Sequence, residues 1–484
     1  MKPDKISPKP DKTAIFKRAD ALDALRGIAI LAMILSGTIP FAGALPAWMY
    51  HAQFPPPNHQ FNPDIPGLTW VDLVFPLFIF ALGAAIPLAQ SRRLAKGWTK
   101  IQIILSTLKR GFFLVTFAIV SQHFRPLTIN PEPVLYKWRF ALLGFLILFL
   151  MFVQFPKTVP KWLQRMATVA GWSAAFIFLY HIQYPHHAEY QNFSLNRSDI
   201  IILVLANVSV FTTLFWLFLR HKIWLRLGVL TVLFPLLLSF NEGSWNTAFL
   251  KLPAISLLFN FDYLKYLFIS IPATLVGDWF WAWIEDRDRA KKQSWTNSRC
   301  ALIAIISLSL IVTLLIGLQA RWLVQTAAIC LVLCGLGFMV VQKPKNETEY
   351  LIKMLYFWAC YWLGLGLAFE PYQGGIKKDS ATMSYFFITT AISMFLLIVL
   401  ILLINLWGQK RSLQLFIDNG QNPMIAYVAF GNLLWPILEL TGWQTQILEM
   451  TQTPLLGFFR GVIYTSIVAI FVSLCTRLKL FWKT

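Results

Sequence analysis

SYFFITTAISMFLLIVLILLINLW, residues 384–407, runs for 24 residues without one charged side chain. About 20 apolar residues in a helix cross a hydrocarbon core of about 30 Å, so this stretch reads as a transmembrane span. It has many companions. Apolar runs between polar breaks predict further spans at 21–44, 67–89, 101–121, 138–154, 164–181, 199–219, 223–240, 262–284, 301–318, 322–341, 351–370, 422–440 and 455–476. The shortness of 138–154 and the close spacing of the pair within 300–341 leave the count at about 12 to 14. A hydrophobic fraction of 57%, a charged fraction of 13% and a mean hydropathy of +0.60 leave too little polar surface to dress a soluble domain of 484 residues. The expected fold is therefore all-α, a polytopic transmembrane helical bundle.

Charge sets the expected orientation. The net charge of +20 is dispersed over many short loops, which excludes a nucleic-acid patch and fits the positive-inside bias. Most of the 42 Lys and Arg fall on one side if both termini are cytoplasmic, the N-in, C-in arrangement of an even number of spans. Residues 1–20 then form a basic cytoplasmic tail and residues 21–484 a single membrane domain, expected in the cell (inner) membrane. The five cysteines lie in or beside apolar runs with no metal-ligand spacing, so neither a zinc site nor disulfides are expected.

Between the first two spans lies AWMYHAQFPPPNHQFNPDIPG, residues 47–67, with no Lys or Arg and with Pro55, Pro56, Pro57, Pro63 and Pro66. Proline fixes φ and removes donors, so this extracytoplasmic loop holds a shape without regular structure. It presents His51 and His59. The following TWVDLVFP places Asp72 about five residues inside the second span, where a carboxylate must pair or face a cavity.

These residues carry a resemblance. LDALRGIAI (22–30), YHAQ (50–53) and GLTWVDLVFPLFIFALG (67–83) resemble the start of the catalytic domain in the heparan-α-glucosaminide N-acetyltransferase-like family of transmembrane acyltransferases. The similarity is specific over residues 20–90, and GQNPMIAYVAFGN (420–432) adds a weaker match to a late-span motif. The resemblance implies that acetyl-CoA, bound from the cytoplasmic side, donates an acetyl group to an amino sugar or glycan on the other side. It maps the family's catalytic histidine onto His51 through the His-Ala pair. It also implies a possible homodimer. The stretch from His51 to the second span is longer than the family pattern and offers His59 as a rival.

The chemistry can be argued beside the resemblance. Acyl transfer to an amine needs a base for the amine proton or a nucleophile that carries the acyl group, and an imidazole serves either purpose near neutral pH. Asp72 would orient that imidazole or receive the amine; alternatively it pairs with Arg460, about five residues inside the last span. His59, Asn422 and Arg460 are the further candidates for the acceptor, although an Asn at a helix start is commonly a cap or cross-link. The phosphates of acetyl-CoA call for cations on the inner side, and Arg26, Lys109 and Arg110 are the candidates. Arg26 could instead pair with Asp23 one turn earlier, and Lys109 and Arg110 could pair with Asp278, which would otherwise shape the donor entrance.

No Walker loop, GxGxxG or HExxH pattern occurs, so nucleotide hydrolysis, a bound dinucleotide and a zincin centre have no support. The competing class is a secondary transporter of a sugar or lipid-linked glycan. Two features favour the enzyme: the pattern of the first two spans does not recur in the second half, and basic residues and histidines concentrate on opposite faces.

Overall fold

The computed structural model describes residues 19–41, 45–130, 132, 135–184, 191–241, 259–286 and 294–483. The basic tail therefore lies outside the described residues apart from its last two positions. The helices are α1 (Asp20–Ser36), α2 (Trp70–Ala95), α3 (Lys100–His123), α4 (Leu135–Phe152), α5 (Lys161–His181), α6 (Ile200–Leu219), α7 (Ile223–Asn241) and α8 (Leu267–Asp286). They continue with α9 (Asn297–Gln319), α10 (Leu323–Val340), α11 (Glu347–Phe369), α12 (Met383–Ile401), α13 (Gln414–Gln421), α14 (Pro423–Leu440), α15 (Trp443–Met450) and α16 (Pro454–Arg477). Among the described residues the extended pairing is confined to Val153–Gln154 against Phe481–Trp482.

Each predicted span overlaps a helix, although the one expected at 21–44 ends at Ser36, and residues 42–44 lie outside the described residues. Eleven helices among the described residues are long and apolar enough to cross a membrane, so this is a multi-pass helical membrane protein. The other three spans fall on α1, which has 17 residues, on α5 and on α7. The short α13 and α15 were not predicted: each has only eight residues, with polar side chains interspersed among the apolar ones, far short of the unbroken apolar run that marks a span. Single π turns at Leu402–Leu406 and Phe430–Leu434 extend α12 and interrupt α14.

The uncharged stretch 384–407, in α12 and its π turn, is the axis of the bundle. All but one of its residues from Met383 to Ile401 are buried, and it packs against α1, α2, α8, α9 and α11. A span that is hydrophobic all round belongs at the centre, where protein replaces lipid on every face. Lipid tails are as apolar as leucine, so helices there associate by close backbone approach at small residues. A Cβ on Gly27 would sit 1.8 Å from the Phe416 carbonyl oxygen, and one on Gly420 equally close to that of Asp23, so α1 and α13 touch backbone to backbone. Gly83 and Gly277 perform the same service between α2 and α8, against the carbonyls of Ser270 and Ala84. The two segments that carry the family resemblance, residues 20–90 and 420–432, thus meet in space.

Candidate active site

Asp72 is the third residue of α2, and its side chain turns back onto the residues before the helix. The backbone N–H of Thr69 donates to Oδ2 at 3.0 Å, as in a capping box, and the N–H of Ala52 donates to the same oxygen at 3.2 Å. Oδ1 is left facing His51, whose Nδ1 lies 2.8 Å away. The carboxylate is 1% exposed and the imidazole 30% exposed, so a buried anion orients a half-open ring. Thr69 also secures the loop: its hydroxyl donates to the Tyr50 carbonyl at 2.7 Å, fixing the backbone just before His51. From α12, the Tyr385 hydroxyl donates to the Asp72 carbonyl at 2.8 Å.

With both oxygens of Asp72 acting as acceptors, Nδ1 of His51 carries a proton and donates, so that in the neutral ring the lone pair is on Nε2. The Lys378 ammonium lies 3.2 Å from Nδ1 and 3.4 Å from Nε2. Of these two atoms only Nε2 can accept from it. Lys378 sits in the loop between α11 and α12, clasped by Gln53. The Gln53 side-chain carbonyl accepts the Asp379 N–H at 3.0 Å, while its amide donates to the carbonyls of Asp379 at 3.0 Å and Pro63 at 3.1 Å. A second tie runs from the Gly67 N–H to the Ile376 carbonyl at 2.9 Å. The arrangement can therefore hold a general base, orient it and place a positive charge beside it.

The other sequence candidates have other surroundings. His59, at φ 47°, packs its ring against Tyr50 and Phe41 with centroids 4.4 and 5.2 Å apart, and its Nδ1 donates to the Phe54 carbonyl at 3.3 Å. Tyr50 itself donates to the Pro40 carbonyl at 2.7 Å, and burial pushes its phenol above the usual range. Arg460 donates to the Thr451 hydroxyl at 2.7 Å, so the Asp72–Arg460 pair gives way to Asp72–His51. Asn422 is buried and ties residues 480–482 in place: its amide donates to the Leu480 carbonyl at 2.7 Å and its oxygen accepts the Trp482 N–H at 3.1 Å.

Arg26 meets Asp23 at 3.5 Å, as the local alternative held, and also donates to the carbonyls of Gly420 at 3.0 Å and Ala81 at 3.5 Å. Gly420 lies in the last turn of α13, where carbonyls lack helical partners, so the guanidinium also caps that helix. Lys109 and Arg110 are exposed on α3, and the Lys109 ammonium lies 5.6 Å from the Phe113 ring centroid. Asp278 pairs with neither of them. It accepts from Arg226 at 2.6 Å and from the Trp216 indole at 2.8 Å.

Lys378, Gln53 and Arg226 escaped the sequence reading. The signal for Lys378 was GGIKKD, residues 374–379, a basic pair on a side expected to be poor in lysine. Arg226 resembled one more loop cation because it stands in the first turn of its span.

The fold and this geometry define a polytopic membrane protein with an aspartate-bound histidine at one end of its bundle. The chain belongs to the family described as a domain of unknown function (DUF5009), whose model matches residues 18–280. It is also similar to human heparan-alpha-glucosaminide N-acetyltransferase, at 29% identity over 108 residues. That match takes in 22% of this chain and 14% of the human protein, a distant relationship.

Proposed function

We propose that the protein is a membrane acetyltransferase that moves an acetyl group from cytoplasmic acetyl-CoA to the amine of an amino sugar on the extracytoplasmic side of the cell membrane. The observation that carries this reading is the 2.8 Å bond between Asp72 and His51 beside the Lys378 ammonium. Nε2 of His51 takes the proton from the sugar amine as its nitrogen attacks the thioester carbonyl. Lys378 stabilises the negative charge that develops on the carbonyl oxygen. The C–S bond then breaks, the C–N bond is complete, and the proton passes from His51 to the departing thiolate.

The flank of the bundle beside α2 suits the donor. Arg110 lies within electrostatic reach of Arg26 and Arg93, a group of cations from three helices suited to phosphates. The Ala81 carbonyl that Arg26 contacts is nine residues along α2 from Asp72, about 14 Å at the helical rise. A donor anchored by its phosphates on this flank has its thioester end directed along α2 toward Asp72. The relationship to the human acetyltransferase points the same way.

The test is transfer of label from radioactive acetyl-CoA to glucosamine by the purified full-length protein. His51→Ala should lower the rate by about 10²–10⁴-fold, the worth of a positioned base, with an unchanged melting profile. Loss of transfer in His59→Ala with full activity in His51→Ala would reassign the base. Failure of the wild-type protein to bind acetyl-CoA by calorimetry would sink the enzyme reading.

A further inference from the structure

We propose that the cavity within the α1–α2 loop is a subsite for a neutral sugar unit of the acceptor, the one next to the amino sugar that reacts at His51. The proposal rests on the acetyltransferase reading for the reacting unit and on separate observations for its neighbour. The loop frames a solvent-open depression of about 350 Å³, lined by Pro55, Pro57, Asn58, Gln60, Phe61 and Asn62 among others, with no charged side chain in the lining among the described residues. That volume is in the range of small-molecule sites.

A sugar unit presents two chemistries, apolar C–H faces and a rim of hydroxyls. Proline rings and the Phe61 ring, 49% exposed, meet the first. The primary amides of Asn58, Gln60 and Asn62 meet the second, the Asn62 oxygen also accepting the Asp64 N–H at 3.0 Å. An anionic unit would find no cation here.

The cavity is connected to the chemistry by aromatic rings. His51 and Phe54 have centroids 6.2 Å apart, and Phe54 and Phe61 are 5.2 Å apart, so a run of mutually tilted rings leads from the imidazole to the lining. The loop is also held in place before any ligand arrives. The Asn62 N–H donates to the Gln53 carbonyl at 2.9 Å, and Gln53 is the residue that clasps the Lys378 loop. A site fixed in advance spends little binding free energy on ordering itself.

The test is calorimetry on the full-length protein in detergent with three probes: glucosamine, glucosamine β-1,4-linked to N-acetylglucosamine, and glucosamine linked to glucuronate. The neutral disaccharide should bind about tenfold more tightly than glucosamine, and Phe61→Ala and Asn62→Ala should each bring that ratio toward one. Equal affinities for the three probes, a preference for the uronate disaccharide, or a ratio indifferent to both substitutions would overturn the subsite. Phe61-dependent disaccharide binding without acetyl transfer would instead overturn the enzyme reading and leave the subsite standing.

Discussion

Nδ1 of His51 and Oδ1 of Asp72 lie 2.8 Å apart although 20 residues, most of them in a proline-rich loop, separate them in the chain. The bond exists because Asp72 does two tasks at once. One oxygen caps the start of α2 and the Ala52 backbone, which draws the loop down, and the other then meets the ring of the preceding residue. Asp72→Asn separates these tasks. An asparagine oxygen can still accept the two N–H groups, but its amide must then donate to Nδ1. The proton moves to Nε2 and the base is lost. Transfer should fall by about 10³–10⁴-fold with little change in melting temperature, the scale seen when an orienting aspartate is replaced in a triad. Activity within tenfold of wild type would remove Asp72 from the chemistry.

Lys378 reaches His51 from a loop 327 residues away. If it steadies the oxyanion, Lys378→Met should lower kcat by about 10²-fold or more, as loss of one positioned donor does, and Lys378→Arg should restore part of it. Gln53→Ala offers an independent check, because it leaves the lysine in place and unfastens the loop that carries it. Its kcat should fall in the same direction by a smaller factor. Steady-state kinetics at saturating acetyl-CoA decide the matter: an effect of Lys378→Met confined to KM would make the lysine a contact for the acceptor instead.

How much of this could be read from the chain depends on the range of the interaction. The spans were legible because each is a local property, a run of apolar side chains long enough for the bilayer, and α12 shows the rule at its strongest. His51 was legible through its motif, and Asp72 through the expense of a carboxylate at that depth. Pairing was not. Arg460 and His51 are both at reasonable depths for Asp72, and Lys109, Arg110 and Arg226 all suit Asp278; only the packing of helices distant in sequence chooses between them. The same holds for Arg26, where the local partner Asp23 was foreseen and the carbonyl of Gly420 was not.

The pair Arg226–Asp278 separates a structural role from a role in donor binding. Arg226 is fully buried, with Oδ2 of Asp278 at 2.6 Å, and its Nε and Nη1 have no hydrogen-bond partner among the described residues. Asp278→Asn leaves a buried guanidinium uncompensated and should cost about 3–5 kcal/mol, read as a clear drop in melting temperature. Arg226→Met should be milder, because Asp278 is 29% exposed and keeps the Trp216 indole. The double variant Arg226→Met/Asp278→Asn removes both charges, and most of the stability should return. It should also bind acetyl-CoA as wild type does, since the geometry occupies both oxygens of Asp278 with protein donors. A stable double variant whose acetyl-CoA affinity, by calorimetry, falls about tenfold would place Asp278 at the donor site and make the ion pair part of the cofactor entrance.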